Sequence, residues 1–267
     1  MQGKKRKKQN KLLSLIGFCG ALIFSVAIII AALPVRQSPS AQQPPSSEPT
    51  SSSSPSQSSS QSQSSSDEPS NLPVETVPLT DEELFTDALF IGNSCVEGLF
   101  VQGYAMQADF FSGVGMTVHS AFTDPPTRHT QTVVDLLAGE KQYARIFILF
   151  GINEVGTDPV LFIDKYGQLI DHIRVTQPGA QIYIQSILPV SRAAHERNLY
   201  LVNNDNVRLF NGLIYDLTVQ KQVHFLNIYE AMVDAEGFLP DDASNDGIHL
   251  SKGYNQIWIN YLKEHVK

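Results

Sequence analysis

Three regimes of apolar and polar residues follow one another along the 267-residue chain. The first is an unbroken apolar run, Leu12 to Leu33, with no charge in its 22 residues. A helix of ~20 apolar residues spans a bilayer, so the run predicts a transmembrane anchor. A cleaved signal peptide would have a shorter apolar core, ~7–15 residues, followed by small residues at a cleavage site. No small-x-small site is obvious here and Cys19 has no lipobox around it, so an uncleaved anchor is the preferred reading. The second regime, 34–78, is Ser, Gln and Pro with almost nothing apolar. It cannot bury enough surface to offset its ordering entropy, and it predicts a disordered tether.

In the third regime, 79–267, short apolar runs alternate with longer amphipathic stretches. Ala88–Ile91, Ala108–Val114, Arg145–Phe150, Gln181–Leu188 and Val223–Ile228 read as buried strands. Gln131–Leu137, Val160–Val175, Val202–Val219 and Tyr254–His265 fit helices. A further helix starts near Asp81, with Thr80 as a possible cap and Glu83 as its box partner. Strands alternating with helices predict an α/β domain with a central parallel sheet of about five strands, covered on both faces.

Charge divides along the same boundaries. Residues 1–11 carry six Lys/Arg and no acid. By the positive-inside rule this tip stays cytoplasmic, which places everything after the span outside the cell. From Asp81 onward, 12 basic residues stand against 23 acidic ones, a net of −11. So acidic a domain excludes a nucleic-acid partner, because phosphates are met by basic patches. Cys19, within the apolar run, and Cys95, within the domain, cannot pair with one another. No CxxC, HExxH, GxGxxG or P-loop pattern is present, so metal and nucleotide binding are unsupported and no cofactor is implied.

In open parallel α/β sheets the ligand sits beyond the carboxyl ends of the strands. Four stretches fall there: Gly92-Asn93-Ser94-Cys95, Gly113-Val114-Gly115-Met116-Thr117, Gly151-Ile152-Asn153-Glu154 and, before the last helix, Asp246-Gly247-Ile248-His249-Leu250. They bring a hydroxyl, backbone amides beside glycine, a side-chain amide, an imidazole and a carboxylate, an inventory suited to acyl transfer. A serine hydroxyl needs a base to become a nucleophile. His249 can serve Ser94 in that way, with Asp246 fixing the imidazole tautomer. An oxyanion would need donors, which the amides of Ser94 and Gly115 and the side chain of Asn153 could supply. Gly113 replaces Gly115 in this scheme if the second strand ends earlier. Cys95 could be a thiol nucleophile, but one residue past Ser94 on a helix its side chain should point elsewhere, and packing is its preferred role. Arg192, His195 and Arg197 follow the fourth strand, in either a substrate-facing loop or a solvated one.

These blocks, in this order, resemble those of the SGNH (GDSL-like) hydrolases: a Gly-Asp-Ser-like block at Gly92–Ser94, a glycine block at Gly115, Gly-x-Asn at Gly151–Asn153 and Asp-x-x-His at Asp246–His249. The resemblance covers roughly Leu84 to the C-terminus. It implies a flavodoxin-like three-layer α/β/α sandwich, Ser94 as nucleophile, Asp246 and His249 completing the triad, and Ser94, Gly115 and Asn153 forming the oxyanion hole. The family's usual Asp is Asn93 here, and Glu154 stands where Asp is common. The expectation is therefore a membrane-anchored extracellular serine esterase, acting on small acyl esters such as acetyl on a cell-surface glycan or lipid. The alternatives are an acyltransferase using the same acyl-serine, or a catalytically impaired surface binding module with Asn93 as its main support.

Overall fold

The computed structural model describes residues 78–267. The basic tip, the apolar run and the Ser/Gln/Pro segment up to residue 77 lie outside the described residues. Among the described residues, no helix is long and apolar enough to cross a membrane.

Five strands form one wholly parallel sheet in the order β2-β1-β3-β4-β5: β1 Ala88–Gly92, β2 Asp109–Ser112, β3 Arg145–Leu149, β4 Gln181–Gln185 and β5 His224–Leu226. The chain leaves β1 toward one edge and then returns to β3 on the other side. Strand order thus reverses between β1 and β3, where open α/β sheets place their ligands. Alternation of side chains splits the core in two. Leu89, Ile91, Ile146 and Ile148 face one layer with helices α3 (Ser120–Thr123), α4 (Val133–Leu137), α5 (Pro159–Thr176) and α7 (Asn204–Lys221). Ala88, Phe90, Phe147 and Leu149 face the other, with α1 (Asp81–Phe85), α2 (Ser94–Val101), α8 (Ile228–Met232) and α9 (Lys252–His265). The fold is the expected three-layer α/β/α sandwich.

A row of aromatic rings crosses all five strands on the second face. Phe110, Phe90, Phe147, Tyr183 and His224 are register partners in turn, their rings stacked at 5.1, 4.8, 5.2 and 4.7 Å. The strand spacing of a sheet, ~4.8 Å, is also a good stacking distance, so burial and ring contact favour the same register. Beneath this face Trp258 of α9 is fully buried, and its indole N–H donates to Gln185 Oε1 at 2.8 Å. Thr80 and Glu83 form the capping box of α1, each side chain bonding the other residue's backbone N–H.

Element boundaries differ from the apolar runs in understandable ways. The run stays buried from Ile182 to Leu188, but the strand stops at Gln185. Two asparagines of α7 then bond the backbone in place of a neighbouring strand. Asn211 accepts from Ile187 N–H (2.7 Å) and donates to Ile187 O (3.0 Å), and Asn204 does the same for Val190 (2.8 and 2.8 Å). The stretch holding Arg192, His195 and Arg197 is a helix, α6 (Arg192–Arg197), capped by Ser191 and ended by left-handed Asn198. After α6 the backbone stays irregular: Tyr200 and Leu201 also have positive φ, +56° and +62°. Such conformations cost non-glycine residues about 1–3 kcal/mol each and persist only where surrounding structure imposes them.

Candidate active site

The turn from β1 into α2 sets the serine. A Cβ on Gly92 would lie 2.5 Å from Leu149 O and from Val96 Cγ2, so only glycine lets β1 enter the helix this close to β3. Asn93 caps α2, its Oδ1 accepting the Cys95 N–H at 2.9 Å. Ser94 is thereby the first residue of α2, and its amide is one of the helix's orphan donors.

Asp246 folds the segment before α9 around its carboxylate. Oδ1 accepts from the amides of Ile248 and His249, each at 2.9 Å, and from Ser244 Oγ at 3.0 Å. Oδ2 lies 2.6 Å from His249 Nδ1, and His249 Nε2 lies 2.7 Å from Ser94 Oγ. An ionised Asp246 keeps the proton on Nδ1 and leaves Nε2 to accept the serine hydroxyl. Partial burial alone would raise the Asp246 pKa. The bonds from the His249 ring and from the His249 and Ile248 amides outweigh it and hold the carboxyl well below its usual range. A clamp from α6 steadies the turn: Ser191 N–H donates to Gly247 O at 2.9 Å and Arg197 Nη2 to Asp246 O at 2.8 Å. Gly247 has φ +86°, and a Cβ there would meet Ser191 Oγ at 2.4 Å.

The glycine and asparagine loops meet beside this chain. Gly113 N–H is engaged by Gly92 O at 3.2 Å, and Met116 N–H closes a turn onto Gly113 O at 3.3 Å, with Gly115 at φ +74°. Asn153 Nδ2 donates to Met116 O at 2.8 Å, which seats its amide against that turn. Glu154 is buried behind it: Oε1 accepts from Val118 N–H (2.6 Å) and Oε2 from Gly151 N–H (3.0 Å). Burial pushes its pKa up to about 7, against the pull of the Val118, Gly151 and Asn153 amides. A cleft of ≈ 390 Å³ opens next to Asn153, lined by Thr117, Val118, His119, Thr157 and Leu161 among others. Among the described residues no three His, Cys, Asp or Glu side chains converge as metal ligands.

The family model of the GDSL-like lipase/acylhydrolases matches residues 90–256, well over half of the chain and spanning all four blocks. The chain belongs to the GDSL-like lipase/acylhydrolase family. Solved structures share the fold of this GDSL-like domain. A protein from Streptococcus pneumonia, provisionally described as a platelet activating factor, matches with TM-score 0.57 and 21% identity over 73% of this chain and 87% of its own. A provisional acylhydrolase from Bacteroides fragilis matches with TM-score 0.53 and 15% identity over 66% and 84%. A provisional lipolytic protein of the G-D-S-L family from Desulfitobacterium hafniense matches with TM-score 0.51 and 15% identity over 66% and 97%. No curated protein matches the sequence.

Both departures from the GDSL-like pattern keep a structural task. The Asn93 oxygen caps α2 as an Asp oxygen would, and the Glu154 carboxylate braces the loops on either side of Asn153. Cys95 is buried, its side chain packing with Val96 and Leu99 in the second-face core, and burial together with the Asp246 charge pushes its thiol up to about 12. One group escapes a motif reading. Buried Glu97 accepts Ser112 Oγ–H at 2.7 Å and both Arg128 guanidinium nitrogens, Nη2 at 3.1 Å, while Arg128 lies 3.8 Å over the Phe100 ring. It ties the serine helix to the end of β2, where the glycine loop begins. The available sequence signal is a lone charge in an otherwise apolar helix, three residues after Ser94; Arg128 itself carries none.

Proposed function

We propose that this protein is a serine esterase working through an acyl-serine intermediate. The observation that carries the reading is the hydrogen-bonded chain Ser94 Oγ, His249 Nε2, His249 Nδ1, Asp246 Oδ2, with links of 2.7 and 2.6 Å at the switch point of the sheet. Ser94 Oγ attacks the ester carbonyl as His249 takes its proton. The amides of Ser94 and Gly115 and the Asn153 side chain stabilise the oxyanion. His249 returns the proton to the leaving alcohol. It then deprotonates a water that attacks the acyl-serine, releasing the carboxylic acid and restoring Ser94. The acyl group proposed is a small one, acetyl being the simplest. The apolar run 12–33 and the basic residues before it support a single-pass anchor with the domain outside the cell, facing acylated glycan or lipid. In the test, full-length protein in detergent hydrolyses p-nitrophenyl acetate and reacts with a fluorophosphonate probe, and Ser94→Ala loses both while keeping its circular dichroism. Full activity in Ser94→Ala overturns the mechanism. Protease added to intact cells should release the domain; a protected domain overturns the topology.

A further inference from the structure

The segment Leu199–Leu201 has no part in the catalytic scheme, yet it spans the two arms of the site. On one side it follows Arg197, whose guanidinium donates to Asp246 O at 2.8 Å. On the other its backbone abuts Gly156, three residues past Asn153, where a Cβ would lie 2.5 Å from Tyr200 O. Its three side chains are large, apolar and turned to solvent, Leu199 at 62%, Tyr200 at 83% and Leu201 at 51% exposure. Single exposed apolar residues are ordinary, but three in succession on a segment joining the loops of Asp246 and Asn153 are not.

The segment is also held rigidly in an unfavourable backbone conformation. Tyr200 and Leu201 have left-handed φ, as does Asn198 before them. Asn206 Nδ2 donates to Leu201 O at 2.8 Å, Asn203 Nδ2 to Asn198 Oδ1 at 2.6 Å, and Val202 N–H to Leu199 O at 3.1 Å. Strained backbone clusters at ligand clamps and functional sites, which gives this exposed apolar segment a candidate role.

Resting on the serine-esterase reading, we infer that Leu199, Tyr200 and Leu201 form a fixed apolar rest for the alcohol half of the ester, so that the preferred leaving group is a non-polar, lipid-like alcohol. The side follows from the chemistry. An ester whose carbonyl oxygen is held at Asn153 and whose alcohol oxygen takes the proton of His249 directs its alcohol substituent along the gap between those loops, and this segment bridges that gap.

The test uses full-length protein and two ester series at concentrations below aggregation: acetates of ethanol, butanol and hexanol, and ethyl esters of acetic, butyric and hexanoic acid. Tyr200→Asn, alone and with Leu201→Asn, removes the apolar surface while keeping a residue that tolerates left-handed φ. The expected result is a wild-type kcat/KM that rises with alcohol length, and a hexyl-to-ethyl ratio that drops at least about tenfold in the double variant. The acyl series should move less. An unchanged ratio, an equal loss on every ester, or a loss confined to the acyl series overturns the proposal. Absence of any Ser94-dependent turnover in wild type removes the esterase reading itself, whereas intact turnover with a flat alcohol series removes only this inference.

Discussion

Replacing Glu154 with Gln should change how stability depends on pH. Glu154 is 5% exposed and accepts backbone N–H groups from Val118 and Gly151. Burial lifts its pKa from 4.5 to about 7 in the folded protein. For an acid raised in this way, the unfolded chain gives up the proton first. The contribution is complete below the unfolded pKa near 4.5, declines as the pH rises, and is gone above about 7. At 1.36 kcal/mol per pH unit, the interval corresponds to about 3 kcal/mol. Glutamine has no proton to lose, so the variant lacks this decline. Wild type minus variant, measured by urea unfolding followed by circular dichroism from about pH 4 to about pH 8, should therefore shrink by about 3 kcal/mol with rising pH. A gap that stays constant shows that burial does not govern this carboxyl. A gap that widens shows that the backbone amides hold it ionised in the folded state.

Other substitutions probe the site more directly. Asn153→Ala should lower kcat on p-nitrophenyl acetate by about 10²–10³, the usual cost of one oxyanion donor. Asp246→Asn should also lower kcat, though by less than the ~10⁴ typical of a buried triad carboxylate, because this side chain is 55% exposed. Cys95→Ala should keep ester turnover, and a maleimide should reach Cys95 itself only after denaturation, since that thiol is buried. Gly92→Ala should lose about 1–3 kcal/mol in urea unfolding, because its Cβ would press on Leu149 O and Val96.

The sheet was readable because β1 to β4 are largely buried and appear as nearly continuous apolar runs; all five runs found a strand, including β5, where His224 is exposed. Strand ends were less so, since burial continues past the ladder wherever Asn211 and Asn204 bond the backbone from α7. The helix Arg192–Arg197 was hidden because it is short and largely polar, and its cap, Ser191, looks like any loop serine. Ser94, Asp246 and His249 stood out because each follows a strand or precedes a helix within a short motif, and the structure brings their side chains together. Gly113 and Gly115 could not be told apart by sequence; the difference is a hydrogen bond from Gly113 to Gly92 O. The Glu97–Arg128 pair depends on a contact across 31 residues of sequence, which local pattern does not encode.

The chain has one tryptophan, and Trp258 lies in the core with its indole bonded to Gln185. The protein therefore carries its own optical gauge. Emission excited selectively through this indole comes from one place in the chain, on α9 beneath the sheet. The residues before the domain contribute no tryptophan signal, so the full-length chain reads out as cleanly as the domain would. None of the substitutions considered above alters that indole or its glutamine partner. A variant that stops turning over ester while its emission stays at the wavelength of a packed, dry indole has lost chemistry; one whose emission moves to the red has lost the fold.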